Sequence, residues 1–118
     1  MRSNLAVAFI AIGVLTWSAV NAAQRQVQCK LVVNGKTYIN GPCNFEADPD
    51  GSFRIGVLRD DQKIPAKGFY FAYVNVSGNT AQAKWNEDPK ALHADVPLGT
   101  LTRNGACWES ETVQICAR

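Results

Sequence analysis

From Val27 onward, apolar side chains recur at every second position in short runs, the spacing of strands that bury one face. Val27, Cys29, Leu31 and Val33 fall on one face and Gln28, Lys30 and Val32 on the other, before Asn34-Gly35 and a return strand from Lys36 to Ile39. Asn-Gly and Asp-Gly favour the positive-φ turns whose twist suits antiparallel hairpins. Turn dipeptides stand at Asn34-Gly35, Asn40-Gly41, Asp50-Gly51, Gly78-Asn79 and Asn104-Gly105. The same reading predicts strands over Cys43 to Ala47, Ser52 to Leu58, Phe69 to Val76, Thr80 to Trp85, Thr100 to Arg103, Ala106 to Trp108 and Val113 to Ala117. Phe69 to Val76 is apolar on both faces, which calls for neighbours on both sides. Arg59 to Lys67, polar and holding Pro65, reads as a loop, and Asn86 to Gly99 as an irregular stretch with room for one helical turn at Lys90 to Asp95. Asp48-Pro49-Asp50-Gly51 lacks the ligand spacing of a calcium loop and reads as a turn.

The expected fold is therefore all-β, with about eight short antiparallel strands in a small barrel or a two-sheet sandwich. Both arrangements remove exposed sheet edges, and the sequence leaves the choice open. Phe53, Phe69, Phe71, Tyr73, Trp85 and Trp108 read as core filler, an aromatic ligand pocket inside a barrel being the alternative.

Ahead of this domain, Met1-Arg2-Ser3-Asn4 precedes an apolar run from Leu5 to Trp17, with the small-residue pair Val20 and Ala22 after it. That is the pattern of a secretory signal peptide, with cleavage expected after Ala22, a single domain from Ala23 to Arg118, and no stable membrane insertion afterwards. Four cysteines, Cys29, Cys43, Cys107 and Cys116, then read as two disulfides of an exported protein. Cys29 with Cys43 and Cys107 with Cys116 is the favoured pairing, because each closes a short local loop. A periplasmic or secreted location follows.

The chain has 118 residues, 12 Lys plus Arg against 10 Asp plus Glu and a formal charge of +2, with the signs interspersed. No basic stripe is available for a nucleic acid. A zinc site lacks its ligands, since no Cys-x-x-Cys occurs and His93 is the sole histidine. No cofactor is expected. A hydrolase would have to use His93 with Asp95, two residues apart, and neither Thr100 nor any other hydroxyl lies in a nucleophile motif. The chain accordingly reads as a binding scaffold rather than an enzyme. Its candidate contacts are Ser77-Gly78-Asn79 and the tip Trp108-Glu109-Ser110-Glu111-Thr112, where Glu109 and Glu111 beside the Trp108 indole suit a cationic partner.

A signal segment, a domain of this size, eight antiparallel strands, disulfides and the Ser77-Gly78 loop together resemble the bacterial periplasmic lysozyme inhibitors. The resemblance covers the layout of the domain. Those families plug the lysozyme cleft with a loop whose small hydroxyl and neighbouring polar groups hydrogen-bond the catalytic carboxylates. Several have tyrosine two residues after Ser-Gly, whereas Ser77-Gly78-Asn79-Thr80 is followed here by Ala81. The resemblance implies a protein partner, a lysozyme or another peptidoglycan hydrolase, met by Ser77. The alternative is an envelope module that takes a small ligand, an envelope polymer or another protein in the barrel or at its loop end, and it needs an open apolar pocket near Tyr73, Trp85 or Trp108.

Overall fold

The computed structural model describes residues 24–56 and 69–118. The expected signal peptide, the last part of the strand expected at Ser52 to Leu58, and the expected loop from Arg59 to Lys67 lie outside the described residues. Eight strands follow one another: β1 (Gln24–Val33), β2 (Lys36–Ala47), β3 (Phe53–Gly56), β4 (Phe71–Ser77), β5 (Thr80–Trp85), β6 (Val96–Asn104), β7 (Cys107–Glu109) and β8 (Val113–Ala117). Each pairs antiparallel with the next, and β1 pairs with β8, so the sheet closes into a barrel and the sandwich is set aside.

Residues directly opposite each other in an antiparallel pair project to the same side, so the register fixes which side chains point inward. Leu31 lies opposite Ile39 and Ile115, Ile55 opposite Phe45 and Ala72, and Ala81 opposite Val76 and Leu101. These form one core, in which Leu31, Leu101, Ile115 and Val74 are 0% exposed and Ile55 is 1% exposed. An eight-stranded barrel is just wide enough for its side chains to fill it, and this one is filled at mid-height. The outward positions Lys30, Asn75, Gln82, Lys84 and Thr100 are polar and exposed, the reverse of the apolar girdle that a lipid-facing barrel requires.

The expected cysteine pairs are the ones formed. Cys29–Cys43 joins β1 to β2 inside the core. Cys107 and Cys116 face each other across β7 and β8, and Cys116 lies opposite the outward Lys30, so the second disulfide sits on the outer wall. In the chain-entropy description each contributes about 3 kcal/mol.

Several expectations about element limits do not hold: β4 begins at Phe71, leaving Phe69 exposed rather than in the core, and β6 begins at Val96 rather than Thr100. Asn40-Gly41-Pro42 is not a turn, because β2 runs through it unbroken. Gln28 exchanges both backbone hydrogen bonds with Arg118 on the β8 side, so Gln28 and Pro42 face each other without bonding, and the N–H that proline lacks is not needed by β1. Gly41, at φ 142°, supplies the backbone conformation that this passage uses. The helical turn expected at Lys90 to Asp95 is also absent. Asp88 takes the N–H of Lys90 with its carboxylate and that of Ala91 with its carbonyl, and β6 has already begun at Val96, which leaves no length for a helix. Pro97 is accommodated in β6 because the register with β5 shifts beside it, between Ala83 and Lys84.

Asn86, buried, closes the barrel end beyond β5. Its Oδ1 accepts from the Phe71 N–H at 3.0 Å, and its Nδ2 donates to the carbonyls of Phe69 at 2.9 Å and Ala91 at 3.3 Å. Tyr38, Tyr70 and Trp85 pack together over the same end, with ring centroids 4.7 to 5.8 Å apart.

The tightest backbone approach is at Gly56, paired with Phe71, where an added methyl would stand 2.3 Å from the Phe71 Cβ at a φ of 146°. Gly56→Ala is expected to cost about 3 kcal/mol from overpacking and backbone strain together. Chemical denaturation of the two proteins measures it, and a loss below about 0.5 kcal/mol would show that β3 and β4 do not approach this closely.

Candidate functional site

In an up-and-down barrel alternate connections lie at opposite ends. The β1–β2, β5–β6 and β7–β8 connections share one end, where the Asn34 N–H bonds the Thr112 carbonyl at 2.7 Å. The β2–β3, β4–β5 and β6–β7 connections share the other with Gln24 and Arg118. The two candidate contacts from the sequence are thus separated by the length of the barrel. Ser77-Gly78-Asn79 is an exposed tight turn at the second end. Glu109 and Glu111 belong to the first.

Nor does the β7–β8 tip assemble as expected. Trp108 is 5% exposed and lies opposite Ile115, inside the barrel, so no indole stands beside the carboxylates. Glu109 points outward and accepts from Gln114 Nε2 at 2.8 Å and Asn104 Nδ2 at 3.1 Å, which hold its carboxyl below the usual range. Glu111 is exposed. His93 and Asp95 are both exposed in the β5–β6 connection.

The second end carries a feature that sequence reasoning missed. β8 ends opposite Cys29 and the pairing stops one residue further, at Gln28 and Arg118, while β1 continues back to Gln24 paired only with β2, so the start of β1 projects past the rim beside the end of β2. The stagger opens a cleft of about 270 Å³ between this projecting end and the β6–β7 turn. Phe45, Phe53, Val76 and Trp108 form its apolar walls, and Arg25 and Arg103 flank it. Phe45 and Phe53 stack with centroids 5.4 Å apart.

Both arginines occupy inward-register positions at strand ends. Arg25 extends the series Val27, Cys29, Leu31, Val33 by one step and lies opposite Phe45, and Arg103 follows the buried Leu101 and lies opposite Trp108. An interior cation would be costly, but at the rim the guanidinium reaches solvent while its stem covers apolar surface. The Arg25 guanidinium carbon lies 5.0 Å from the Phe45 ring centroid, and that of Arg103 5.9 Å from Trp108, contacts of about 0.5–1 kcal/mol each at exposed sites. Arg103 Nε also donates to the Gly105 carbonyl at 3.1 Å, which fixes the side chain along the turn. Among the described residues the one ion pair is Arg54 with Glu46, so neither rim arginine has a carboxylate partner there. A charged residue continuing an apolar alternation was the available signal, and a reading that began at Val27 passed over it.

The β2–β3 turn builds the neighbouring part of the rim, with Gly51 lining the cleft. Ser52, 1% exposed, donates to Asn75 Oδ1 at 3.0 Å and accepts from the Val76 N–H at 2.9 Å, tying this turn to β4. Tyr73 donates its hydroxyl to Asp48 Oδ2 at 3.1 Å on the outer side. Burial, and then the bond to Asp48, push the phenol upward from its ordinary value. A second groove, of about 220 Å³, lies at the opposite end beside Trp85, Tyr38 and Glu87, with no cation among the described residues that line it. Among the described residues no cluster of His, Cys, Asp and Glu is arranged to hold a metal.

Comparison with known proteins returned no match to a family model, a curated protein or a solved structure.

Asp50 accepts from the Ser52 N–H at 2.9 Å, and that backbone bond first, with the Ser52 side chain second, lowers its pKa from 3.8. A depressed carboxylate stabilises the fold above its unfolded pKa, and the contribution is lost as pH falls through the lower folded value. The stability advantage of the parent over Asp50→Ala should therefore be constant near neutrality and shrink below pH 3.8. Urea titrations at several pH values check this, and a difference independent of pH would remove the turn bond from the account.

Proposed function

We propose that this protein is a binding module of the periplasm or extracellular space that takes a small ligand at the mouth of its barrel. The observation that carries this reading is the cleft of about 270 Å³ beside Trp108, at the mouth of a barrel whose middle is filled by its own side chains. Ligand sites are concave, largely apolar and provided with a few polar groups that set orientation, and the mouths of β-barrels are among their usual places. Here the apolar part is Phe45, Phe53, Val76 and Trp108, and the orienting groups are two guanidiniums. The cleft lies slightly below the range of about 300–1,000 Å³ found for drug-sized ligands, which suits a compact ligand of up to three rings or the end of a longer molecule. Two disulfides in a small β domain are compatible with an extracytoplasmic location.

Titration with the neutral fluorophore N-phenyl-1-naphthylamine tests the mouth. The oxidised protein is expected to enhance its emission, and Ala106→Trp, which places an indole at the cleft wall, should abolish the enhancement while leaving the thermal midpoint nearly unchanged. Equal enhancement by both proteins would locate the dye elsewhere and sink the reading.

A second reading, inhibition of a peptidoglycan-cleaving enzyme, is favoured by one observation. The exposed Ser77-Gly78-Asn79 turn shares its end of the barrel with Arg25 and Arg103, so a hydroxyl and two cations are presented together. Glycosidases of this kind work with a pair of carboxylates, whose charge such an end complements. Under this reading the protein suppresses lysis of peptidoglycan by a lysozyme, and Ser77→Trp relieves the suppression at least about tenfold, as loss of one well-placed contact at an interface centre would. Undiminished lysis across a panel of lysozymes would dispose of it.

A further inference from the structure

The proposed mouth has polar groups of a single sign, and this bears on what enters it. Arg25 and Arg103 both line the cleft, one from the start of β1 and the other beside the β6–β7 turn, and among the described residues no carboxylate lines it with them. The two acidic side chains of the neighbouring turn are engaged elsewhere, Asp48 by the Tyr73 hydroxyl and Asp50 by the Ser52 N–H. Glu46, the nearest acid on β2, faces outward to Arg54. Each rim guanidinium rests on an aromatic ring, and Arg103 spends only its Nε on the protein, leaving its terminal nitrogens uncommitted among the described residues.

We infer that the ligand is a small organic acid with a flat apolar body, seated with the body between Phe45, Phe53 and Trp108 and the acid group between Arg25 and Arg103. This inference rests on the mouth being the binding site and adds the chemical class of the ligand. Charge sets the sign: two like charges converging on one apolar cleft repel each other until an anion enters, and a planar guanidinium offers paired donors to a carboxylate, sulfonate or phosphate group. Ring shape sets the body, because stacked aromatic walls accept a flat partner with the least loss of contact. A neutral apolar ligand would leave the guanidiniums as they are, and a cation would be repelled by both.

Paired titrations test this. The probes are 8-anilinonaphthalene-1-sulfonate, which joins a flat naphthalene to an acid group, and N-phenyl-1-naphthylamine, which lacks the acid. Arg25→Gln and Arg103→Gln should each weaken binding of the sulfonate dye about tenfold, the scale of one charge-assisted hydrogen bond. Binding of the neutral dye should change less than about twofold, because the apolar walls remain. Arg25→Lys with Arg103→Lys should retain part of the sulfonate affinity, since the charge is kept and the fork is lost. Sulfonate binding that is unchanged in the double glutamine variant would overturn the inference and leave the mouth standing. Equal loss of both dyes would overturn it too, by showing that the arginines only shape the cleft, with thermal melts confirming that the variants are folded. If neither dye binds the parent protein, the mouth itself falls, and the ligand class with it.

Discussion

The pairing of the first strand with the last is the constraint on which the rest of this structure depends. Without β1 against β8, the chain would be an open meander of short strands with two exposed edges, and its apolar side would have nothing to close over. With it, Leu31 meets Ile115 and the inward residues of all eight strands become one core. The seam is long-range, joining Cys29–Val33 to Val113–Ala117, so its closure entropy is borne by contacts far apart in sequence. The disulfides lie on either side of it, one in β1–β2 and one in β7–β8, and stiffen the two hairpins that have to meet.

The same closure decides where chemistry can occur. A barrel of eight strands has an interior that its own side chains occupy, so room for another molecule exists at its ends, most of all where the strands are staggered. Here the stagger falls between the overhanging start of β1 and the early end of β8. Polar groups there can be charged at little cost because water still reaches them. This is why two arginines can stand on inward positions whose neighbours one step deeper, Val27 and Leu101, pack in or against the core.

Much of the fold was legible in the sequence. The period-2 runs, the turn dipeptides and the local cysteine spacing gave the class, most strand positions and both disulfide pairings, because each is fixed by neighbours close along the chain. Gly41-Pro42 misled, since the same two residues end a strand or run along one according to which partner needs the missing N–H, and that is set by the pairing with Gln28. The separation of the Ser77 and Glu111 tips follows from their lying three strands apart in a meander, but only once the sandwich alternative has been discarded. The mouth was least legible. It arises from the relative lengths of β1 and β8, strands at opposite ends of the chain, and nothing in either one alone reports the offset.

An even number of strands also has a practical geometry. Having gone up and down an equal number of times, the backbone enters the barrel at Gln24 and leaves it at Arg118 on the rim that holds Arg25 and Arg103. A group attached at Gln24 or at Arg118 therefore stands beside the cleft and competes with whatever approaches it. The opposite rim, with the Asn34-Gly35 and Ser110–Thr112 turns, lies a barrel length away, and a group attached there leaves the cleft free.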